Sequence, residues 1–129
     1  IRAARRNFDV TLVEGAGGLL SPLGEDFDSR DLMNALRASP VIVAPNKLGV
    51  VNQLLLTLEA LPKNRRAEAK IVLMSPPKPD AATASNAKLL ARFYPAEKIF
   101  AFPWLGETIP ATSVKRPQTR RLLARLGAN

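Results

Sequence analysis

The chain has 129 residues, enough for one small domain, and carries a formal net charge of +8. It contains neither cysteine nor histidine, which excludes disulfides, thiolate chemistry and imidazole as a general base or metal ligand. Any enzymatic chemistry must therefore use carboxylates, lysine and arginine, backbone dipoles or a metal ion.

The sequence predicts a cytoplasmic protein without a membrane partner. It has no run of eighteen apolar residues that could cross a bilayer. Its basic first six residues lead into an apolar run that lacks the features of a signal peptide. Because Ile1 is not a natural start, we expect the chain to begin within a domain.

Residues 10–13 (V-T-L-V) form a short apolar run that predicts a buried parallel strand. Glu14 and three glycines follow, at the strand end where α/β sheets bind ligands. Glycines let backbone N–H groups approach an anion, and Mg²⁺ takes carboxylate and phosphate oxygens together. Residue types alone leave two interpretations open: a metal-assisted nucleotide or carboxylate site, or a solvated glutamate in a glycine-rich turn.

The next elements alternate between helix and strand. After a loop over residues 21–28, a helix is capped by Asp28 or Ser29 and stopped by proline at position 40. A strand over residues 41–44 leads into a helix over about residues 50–61, which implies a parallel crossover. The N-terminus of that second helix offers free N–H groups and a favourable dipole to an anion.

The rest of the chain continues this pattern. An exposed connection over residues 62–70 precedes a strand at 71–74, a helix from 81 to about 93 and a strand at 99–102. The basic tail is expected to pack a short helix by its leucines. Four strands alternating with helices predict an α/β fold, with a mostly parallel sheet and helices on both faces.

A resemblance to a known family enters at the glycine-rich segment. Residues 13–23 read V-E-G-A-G-G-L-L-S-P-L and resemble the V-E-G-A-G-G-x-x-x-P-L segment of dethiobiotin synthetases, which belong to the P-loop NTPase superfamily. The resemblance implies that Glu14 binds Mg²⁺. The resemblance also implies that the backbone of Gly15, Ala16 and Gly17 lies against the phosphates of ATP and the substrate.

A second segment resembles the same family in the loop after the 41–44 strand. Residues 48–52 (L-G-V-V-N) match the family's L-G-x-x-N-H, with Gln53 in place of the histidine. In the family this segment reaches across a homodimer interface to the carboxylate of a diaminononanoate. The resemblance implies a substrate site made of Leu48, the backbone of Gly49 and Val50, and the side chain of Asn52.

The ATP base is expected at the ends of the last two strands. The family has a P-W-L segment whose backbone lines the adenine pocket, and the matching residues are Pro103, Trp104 and Leu105. Glu107 is expected near the nucleotide ring or ribose. Ser75 stands where the family commonly has an asparagine that reads adenine, and a hydroxyl lacks the paired donor and acceptor of an amide. No catalytic residue is assigned.

The sequence contains no G-x-x-x-x-G-K-[ST] phosphate loop, which phosphoryl transfer in this superfamily uses. The resemblance covers about residues 7–107 and corresponds to the C-terminal half of the family. We therefore expect residues 1–129 to be the C-terminal portion of a single domain, either part of a full enzyme or a truncated homologue. Such a half would leave a sheet edge and apolar helix faces uncovered unless the rest of the domain or a partner covers them. The resemblance implies a homodimer through residues 48–61, and we expect one here.

The function implied by the resemblance is ATP-dependent carboxylation of 7,8-diaminononanoate by CO₂ and ring closure to dethiobiotin in biotin biosynthesis. This chain alone is expected to be inactive. One alternative is another P-loop ATPase or ligase. A second is a non-catalytic basic binding or dimerisation module, but the basic ends lack interleaved aromatic residues, so no nucleic-acid partner is expected.

Overall fold

The computed structural model describes residues 1, 3, 6–15, 17–108 and 115–127, except the side chains at 118, 122 and 126. The predicted phosphate-site residue Ala16 therefore lies outside the described residues. In chain order the elements are β1 (Pro22–Gly24), β2 (Phe27–Asp28), α1 (Ser29–Leu36), β3 (Val41–Pro45), α2 (Val50–Ala60), α3 (Lys63–Glu68), β4 (Lys70–Met74), α4 (Ala81–Leu90), β5 (Ile99–Phe102) and α5 (Pro117–Leu126).

Three parallel strands form the main sheet, in the order β3-β4-β5. Val41 pairs with Lys70 at the start of β4, and Ile71 pairs with Ile99 at the start of β5. Helices α2 and α3 connect the first pair of strands, and α4 connects the second. The α/β class and the parallel sheet are therefore confirmed, and all three strands end at the same edge.

One face of the sheet carries the main core. Ile71 and Leu73 point to this face from β4, and they pack with Leu54 and Leu58 of α2 and with Leu90 of α4. Leucines four residues apart lie on one side of a helix, which is why α2 buries a continuous stripe. This packing fixes α2 against the sheet and so positions its first turn at the strand ends.

The opposite face is covered only in part. Val72 and Phe100 are buried there, and the guanidinium carbon of Arg125 in α5 lies 4.7 Å from the centre of the Phe100 ring. Val41 and Val43 of β3 point to the same face, yet Val43 remains 62% exposed. Helices thus lie on both faces as predicted, and β3 exposes apolar side chains on this face of the sheet.

The predicted strand at residues 10–13 is wrong. These residues form neither helix nor strand, and Leu12 is 91% exposed. A strand is stable only when its backbone groups bond to a neighbour. Among the described strands none pairs with this segment, so the parallel sheet has three strands instead of four.

The structure also differs from the predicted elements in two connections and at the end of one helix. The predicted loop at 21–28 contains the antiparallel hairpin β1–β2, and the connection at 62–70 contains α3. Helix α3 follows Pro62 and carries an Arg65–Glu68 ion pair of 2.8 Å one turn apart, which supports a short charged helix. Helix α4 ends at Leu90 instead of near residue 93, and the helix in the basic tail is confirmed.

Candidate functional site

The residues that follow the three parallel strands are joined by backbone hydrogen bonds. The N–H of Asn46 after β3 donates to the carbonyl of Met74 at 2.8 Å. The N–H of Ser75 after β4 donates to the carbonyl of Phe102 at 2.8 Å. These two bonds place the loops after β3, β4 and β5 side by side at one edge of the sheet.

The loop after β3 leaves donors free at the start of α2. Gly49 precedes the helix with a positive φ of 89°, which favours glycine, and the N–H of Val50 donates to the carbonyl of Lys47 at 3.2 Å. The first bond of the helix runs from the N–H of Gln53 to the carbonyl of Gly49. In the described part of the chain, no acceptor faces the N–H groups of Gly49, Val51 and Asn52.

The side chains of this loop are exposed. Leu48 is 82% exposed, and Asn52 presents its amide to solvent in the first turn of α2. Free N–H groups at a helix start carry partial positive charge and favour an anion, with a typical effect of about 0.3–1 kcal/mol. The arrangement can therefore bind a carboxylate with backbone donors and one side-chain amide.

A buried polar network fixes the base of this loop. Asn46 and Asn86 are only 3% and 6% exposed. The Nδ2 of Asn86 donates to the Oδ1 of Asn46 at 2.9 Å and to the carbonyl of Lys47 at 3.1 Å. The Nδ2 of Asn46 donates in turn to the carbonyl of Thr83 at 3.1 Å. The network therefore ties the loop after β3 to α4.

Thr83 connects the same network to the start of α4. Its hydroxyl lies 3.1 Å from the carbonyl of Asn46 and 2.7 Å from the Oδ1 of Asp80, and it donates to one of them at a time. Asp80 accepts the N–H of Thr83 at 2.7 Å, which confirms the predicted cap. The hydrogen bonds from the N–H and the hydroxyl of Thr83 favour the ionised carboxylate of Asp80 and so lower its pKa.

The sequence analysis did not predict the three network residues, Asn46, Thr83 and Asn86. One signal was present: Asn86 lies one turn before Leu90, on the side of α4 that faces the core. A polar side chain at such a position needs buried partners. Its partners come from a loop about forty residues earlier in the chain, and local sequence patterns do not identify them.

The glycine-rich segment folds back on the start of α1. Gly17 has a positive φ of 87°, and a Cβ there would lie 2.3 Å from the Oγ of Ser21. The N–H of Gly18 donates to that Oγ at 2.7 Å, and the N–H of Ser29 donates to the carbonyl of Ser21 at 3.1 Å. Gly17 is therefore required by both conformation and space.

Glu14 and Gly15 lie exposed just before this turn. Within the described ranges, no hydrogen bond joins residues 14, 15, 17 or 18 to the loops after β3, β4 and β5. The structure thus brings together the predicted substrate loop and the predicted adenine residues, but it does not connect them to the predicted phosphate segment.

The predicted adenine residues follow β4 and β5. Ser75, Pro103 and Leu105 are half-buried, whereas Trp104 and Glu107 are exposed. Ser75 uses its N–H for the bond to Phe102, so its hydroxyl and carbonyl remain available to a ligand. These residues form one side of the strand-end edge, opposite the loop before α2.

A family model described as an AAA domain matches residues 1–112 of the chain. The chain belongs to this AAA domain family. The match covers all three parallel strands and every residue predicted to bind substrate or nucleotide.

Three curated relatives of this AAA domain carry the same name. An ATP-dependent dethiobiotin synthetase of Rhodococcus erythropolis is 45% identical over 91 residues, which cover 67% of this chain and 40% of the relative. Those of Mycolicibacterium gilvum and Phenylobacterium zucineum are 38% and 30% identical, covering 90% and 97% of this chain. They confirm the resemblance inferred from the motifs.

The chain spans about half the length of these relatives, with 51% of the Mycolicibacterium gilvum protein and 54% of the Phenylobacterium zucineum protein covered. No solved structure matches the chain significantly. None of the described helices is long and apolar enough to cross a membrane.

The described residues of this AAA domain offer one candidate ligand for a magnesium ion. The described residues contain no group of three or more metal-ligating side chains. Mg²⁺, however, is commonly bound by one or two carboxylates, with phosphate oxygens and water completing its shell. The exposed carboxylate of Glu14 therefore fits as one ligand beside a bound nucleotide.

A shallow surface depression of about 270 Å³ lies elsewhere on this AAA domain. It is lined by Ser85, Lys88, Leu89 and Arg92. All four side chains come from α4 or the turn after it, and none follows a strand. The depression therefore does not coincide with the strand-end edge.

Proposed function

We propose that the complete protein is an ATP-dependent dethiobiotin synthetase. It carboxylates 7,8-diaminononanoate with CO₂ and closes the ring to dethiobiotin in biotin biosynthesis. The observation that carries this proposal is the loop before α2, where an L-G-V-V-N segment presents free N–H groups and the exposed amide of Asn52. Residues 1–129 are then the C-terminal portion of one synthetase domain, inactive alone, in a cytoplasmic enzyme.

The substrate carboxylate binds at the start of α2. Gly49 contributes its backbone N–H, Asn52 contributes its side-chain amide, and Leu48 lies against the substrate. The N–H of Val50, which was also predicted to contribute, is instead bonded to the carbonyl of Lys47. The unpartnered N–H groups of Val51 and Asn52 support this assignment and extend it by two donors. An anion at this position also gains from the helix dipole.

A homodimer completes the substrate site. Leu48 and Leu56 are large apolar residues that α2 and its loop expose to solvent. Exposed apolar surface beside a ligand site is typical of an interface. The two residues support a dimer through residues 48–61, where the loop of one subunit reaches substrate bound by the other.

ATP binds between the glycine-rich segment and the ends of β4 and β5. Ser75 and the backbone of residues 103–105 contact the adenine ring, and Glu107 lies near the ring or ribose. The backbone of Gly15, Ala16 and Gly17 faces the phosphates. Glu14 holds Mg²⁺, which neutralises phosphate charge during transfer when it is bound.

The described residues act by positioning. Once the diamine has been carboxylated to a carbamate, that carbamate accepts the γ-phosphoryl group of ATP, and the second amine closes the ring with loss of phosphate. Phosphoryl transfer depends mainly on alignment and charge stabilisation, so residues that hold the substrate carboxylate contribute to rate.

Replacing Asn52 tests the substrate site. In the complete protein, Asn52→Ala should weaken the binding of 7,8-diaminononanoate about tenfold in calorimetric titration, because one hydrogen bond to a charged group is lost. Asn64→Ala, which removes an exposed asparagine of α3 outside residues 48–61, is the matched control and should leave the affinity unchanged. Equal affinities for wild type and Asn52→Ala would refute the assignment.

A different P-loop ATPase or ligase would be recognised in the same titration. Such a protein would bind Mg-ATP but not the diamine. A basic binding module would bind neither, and it would bind nucleic acid with a steep salt dependence. The dethiobiotin synthetase proposal requires binding of both the diamine and Mg-ATP.

A further inference from the structure

The loop that precedes α2 has few apolar anchors. Leu48 projects into solvent, and nothing lies within 4 Å of the position of a Cβ at Gly49. Asn46, at the base of the loop, is by contrast almost completely buried. The conformation of residues 47–49 therefore depends on hydrogen bonds more than on packing.

Three side chains supply those bonds. The Nδ2 of Asn46 donates a hydrogen bond to the carbonyl of Thr83, and the Oδ1 of Asn46 accepts one from the Nδ2 of Asn86. Its carbonyl faces the hydroxyl of Thr83, and its N–H is bonded to Met74 of β4. Both the main chain and the side chain of Asn46 are thus held between β4 and α4.

The carbonyl of Lys47 is the point at which this network reaches the start of α2. It accepts the Nδ2 of Asn86 at 3.1 Å and the N–H of Val50 at 3.2 Å. The amide of Asn86 therefore holds the same carbonyl that closes the turn into α2. Because both acceptors of Asn86 lie in this loop, its loss would release the loop from α4 at two places.

We propose that Asn46 in the loop, together with Thr83 and Asn86 in α4, forms a hydrogen-bonded latch that positions the carboxylate-binding donors of residues 49, 51 and 52. The proposal rests on the proposed function for the identity of the substrate. The latch residues do not touch the substrate and are positioning residues. Their effect is to preorganise the donors, so that ordering of the loop does not oppose binding.

The latch predicts a selective kinetic effect. In the complete enzyme, Asn86→Ala should raise the KM for 7,8-diaminononanoate about tenfold, since a loosened loop must be ordered again on binding. The KM for ATP should stay within about twofold, because the residues assigned to ATP are not bonded to Asn86. The melting temperature of each variant is measured in parallel.

Two control variants separate positioning from general stability. Phe100→Ala removes a buried side chain on the opposite face of the sheet, away from α2, α4 and the loop between β3 and α2. It should lower the melting temperature at least as much as Asn86→Ala but leave the KM for the diamine unchanged. Ser85→Ala, which loses only a hydroxyl bonded to the carbonyl of Ala81, should change neither.

A double-mutant cycle tests whether the latch acts as a unit. Asn46→Ala and Asn86→Ala should each raise the KM for the diamine, and the double variant should raise it hardly more than either alone. If the KM increase in the double variant equals the product of the two single increases, the two residues act independently and the latch does not act as a unit. An unchanged KM in Asn86→Ala, combined with a lowered melting temperature, would overturn the positioning role.

Amide hydrogen exchange gives a readout that does not depend on the substrate. Asn86→Ala should accelerate exchange at residues 47–50 at least about tenfold more than Phe100→Ala does. If the wild-type enzyme fails to bind the diamine but this difference is seen, the proposed function is wrong and the latch stands. If exchange in the loop is the same in both variants, the latch is refuted whatever the substrate.

Discussion

Strand β4 and residues 10–13 have similar apolar composition and opposite environments. β4 lies at the centre of the parallel sheet, bonded to β3 on one side and to β5 on the other. Residues 10–13 are exposed and pair with none of the described strands. The difference lies in their neighbours, because an apolar run becomes a strand only where adjacent strands accept its backbone bonds.

Strand β3 is intermediate between these two cases. One of its edges bonds to β4, and its inward residues Ile42 and Ala44 pack against the main core. Its other face exposes Val41 and Val43. Burial therefore decreases from β4 through β3 to residues 10–13. The loop proposed to bind the substrate follows β3, whereas Glu14 follows the exposed residues 10–13.

The largest expected loss of stability comes from a substitution in the main core between α2 and the sheet. Leu54→Ala should reduce the free energy of unfolding by about 2–5 kcal/mol, because it removes a fully buried side chain between α2 and β4. Denaturant unfolding of the complete protein measures the loss. Leu89→Ala, at an exposed position of α4 outside residues 48–61, should change it by less than about 1 kcal/mol. Similar losses in both variants would contradict the assigned core face.

A smaller effect is expected where Tyr94 supports the start of β4. Its buried hydroxyl lies 2.7 Å from the carbonyl of Ala69 and 2.6 Å from that of Arg66, and it donates to one of them at a time. Tyr94→Phe should cost about 1–3 kcal/mol of unfolding free energy, because a buried carbonyl loses its donor. A loss of zero in denaturant unfolding would show that these carbonyls find other donors.

The same residue predicts a pH dependence. Burial raises the pKa of Tyr94, with Glu97 adding to the rise and Arg66 opposing it. The folded state therefore holds the phenolic proton more tightly than the unfolded state. Its stabilising contribution is complete below the ordinary tyrosine pKa of about 10 and is lost as pH rises from there through the folded value. Tyr94→Phe should lose less stability than wild type above that pH.

A substitution of the exposed Glu14 is expected to have the smallest effect on stability and a large effect on activity. Glu14→Gln should change the unfolding free energy by less than about 0.5 kcal/mol, because this exposed side chain has no described partner. In the complete enzyme the same change should abolish Mg²⁺-dependent turnover, since a neutral amide replaces a charged ligand. Titration of activity with MgCl₂ measures this, and a wild-type Mg²⁺ dependence would refute the ligand role of Glu14.

Elements with strong local signals could be predicted from the sequence. Helix α1 begins at the expected cap, where Asp28 accepts the N–H of Asp31 and Asp31 accepts the N–H of Asp28. Strands β4 and β5 were also predicted, because their apolar runs lie between clear breakers. The loop before α2 was also predicted, because its glycine and the following helix are encoded within a few residues. Its assignment to the substrate came from the family resemblance and stays a prediction.

Features that depend on distant partners could not be predicted. The run at residues 10–13 has the composition of a strand, but whether it pairs depends on neighbours that the run does not encode. The Asn46–Asn86 bond joins a loop and a helix that are forty residues apart. Helix α3 is short and charged, and its stability comes from ion pairs that hydrophobic periodicity does not detect.

Turnover by the complete protein tests the proposed synthetase activity most directly. Purified protein is incubated with 7,8-diaminononanoate, bicarbonate as the source of CO₂, ATP and MgCl₂, and dethiobiotin and ADP are measured by mass spectrometry. We predict that both form in equal amounts, and that neither forms without the diamine. Binding of ATP without any dethiobiotin, in a protein that is folded by circular dichroism, would contradict the assignment.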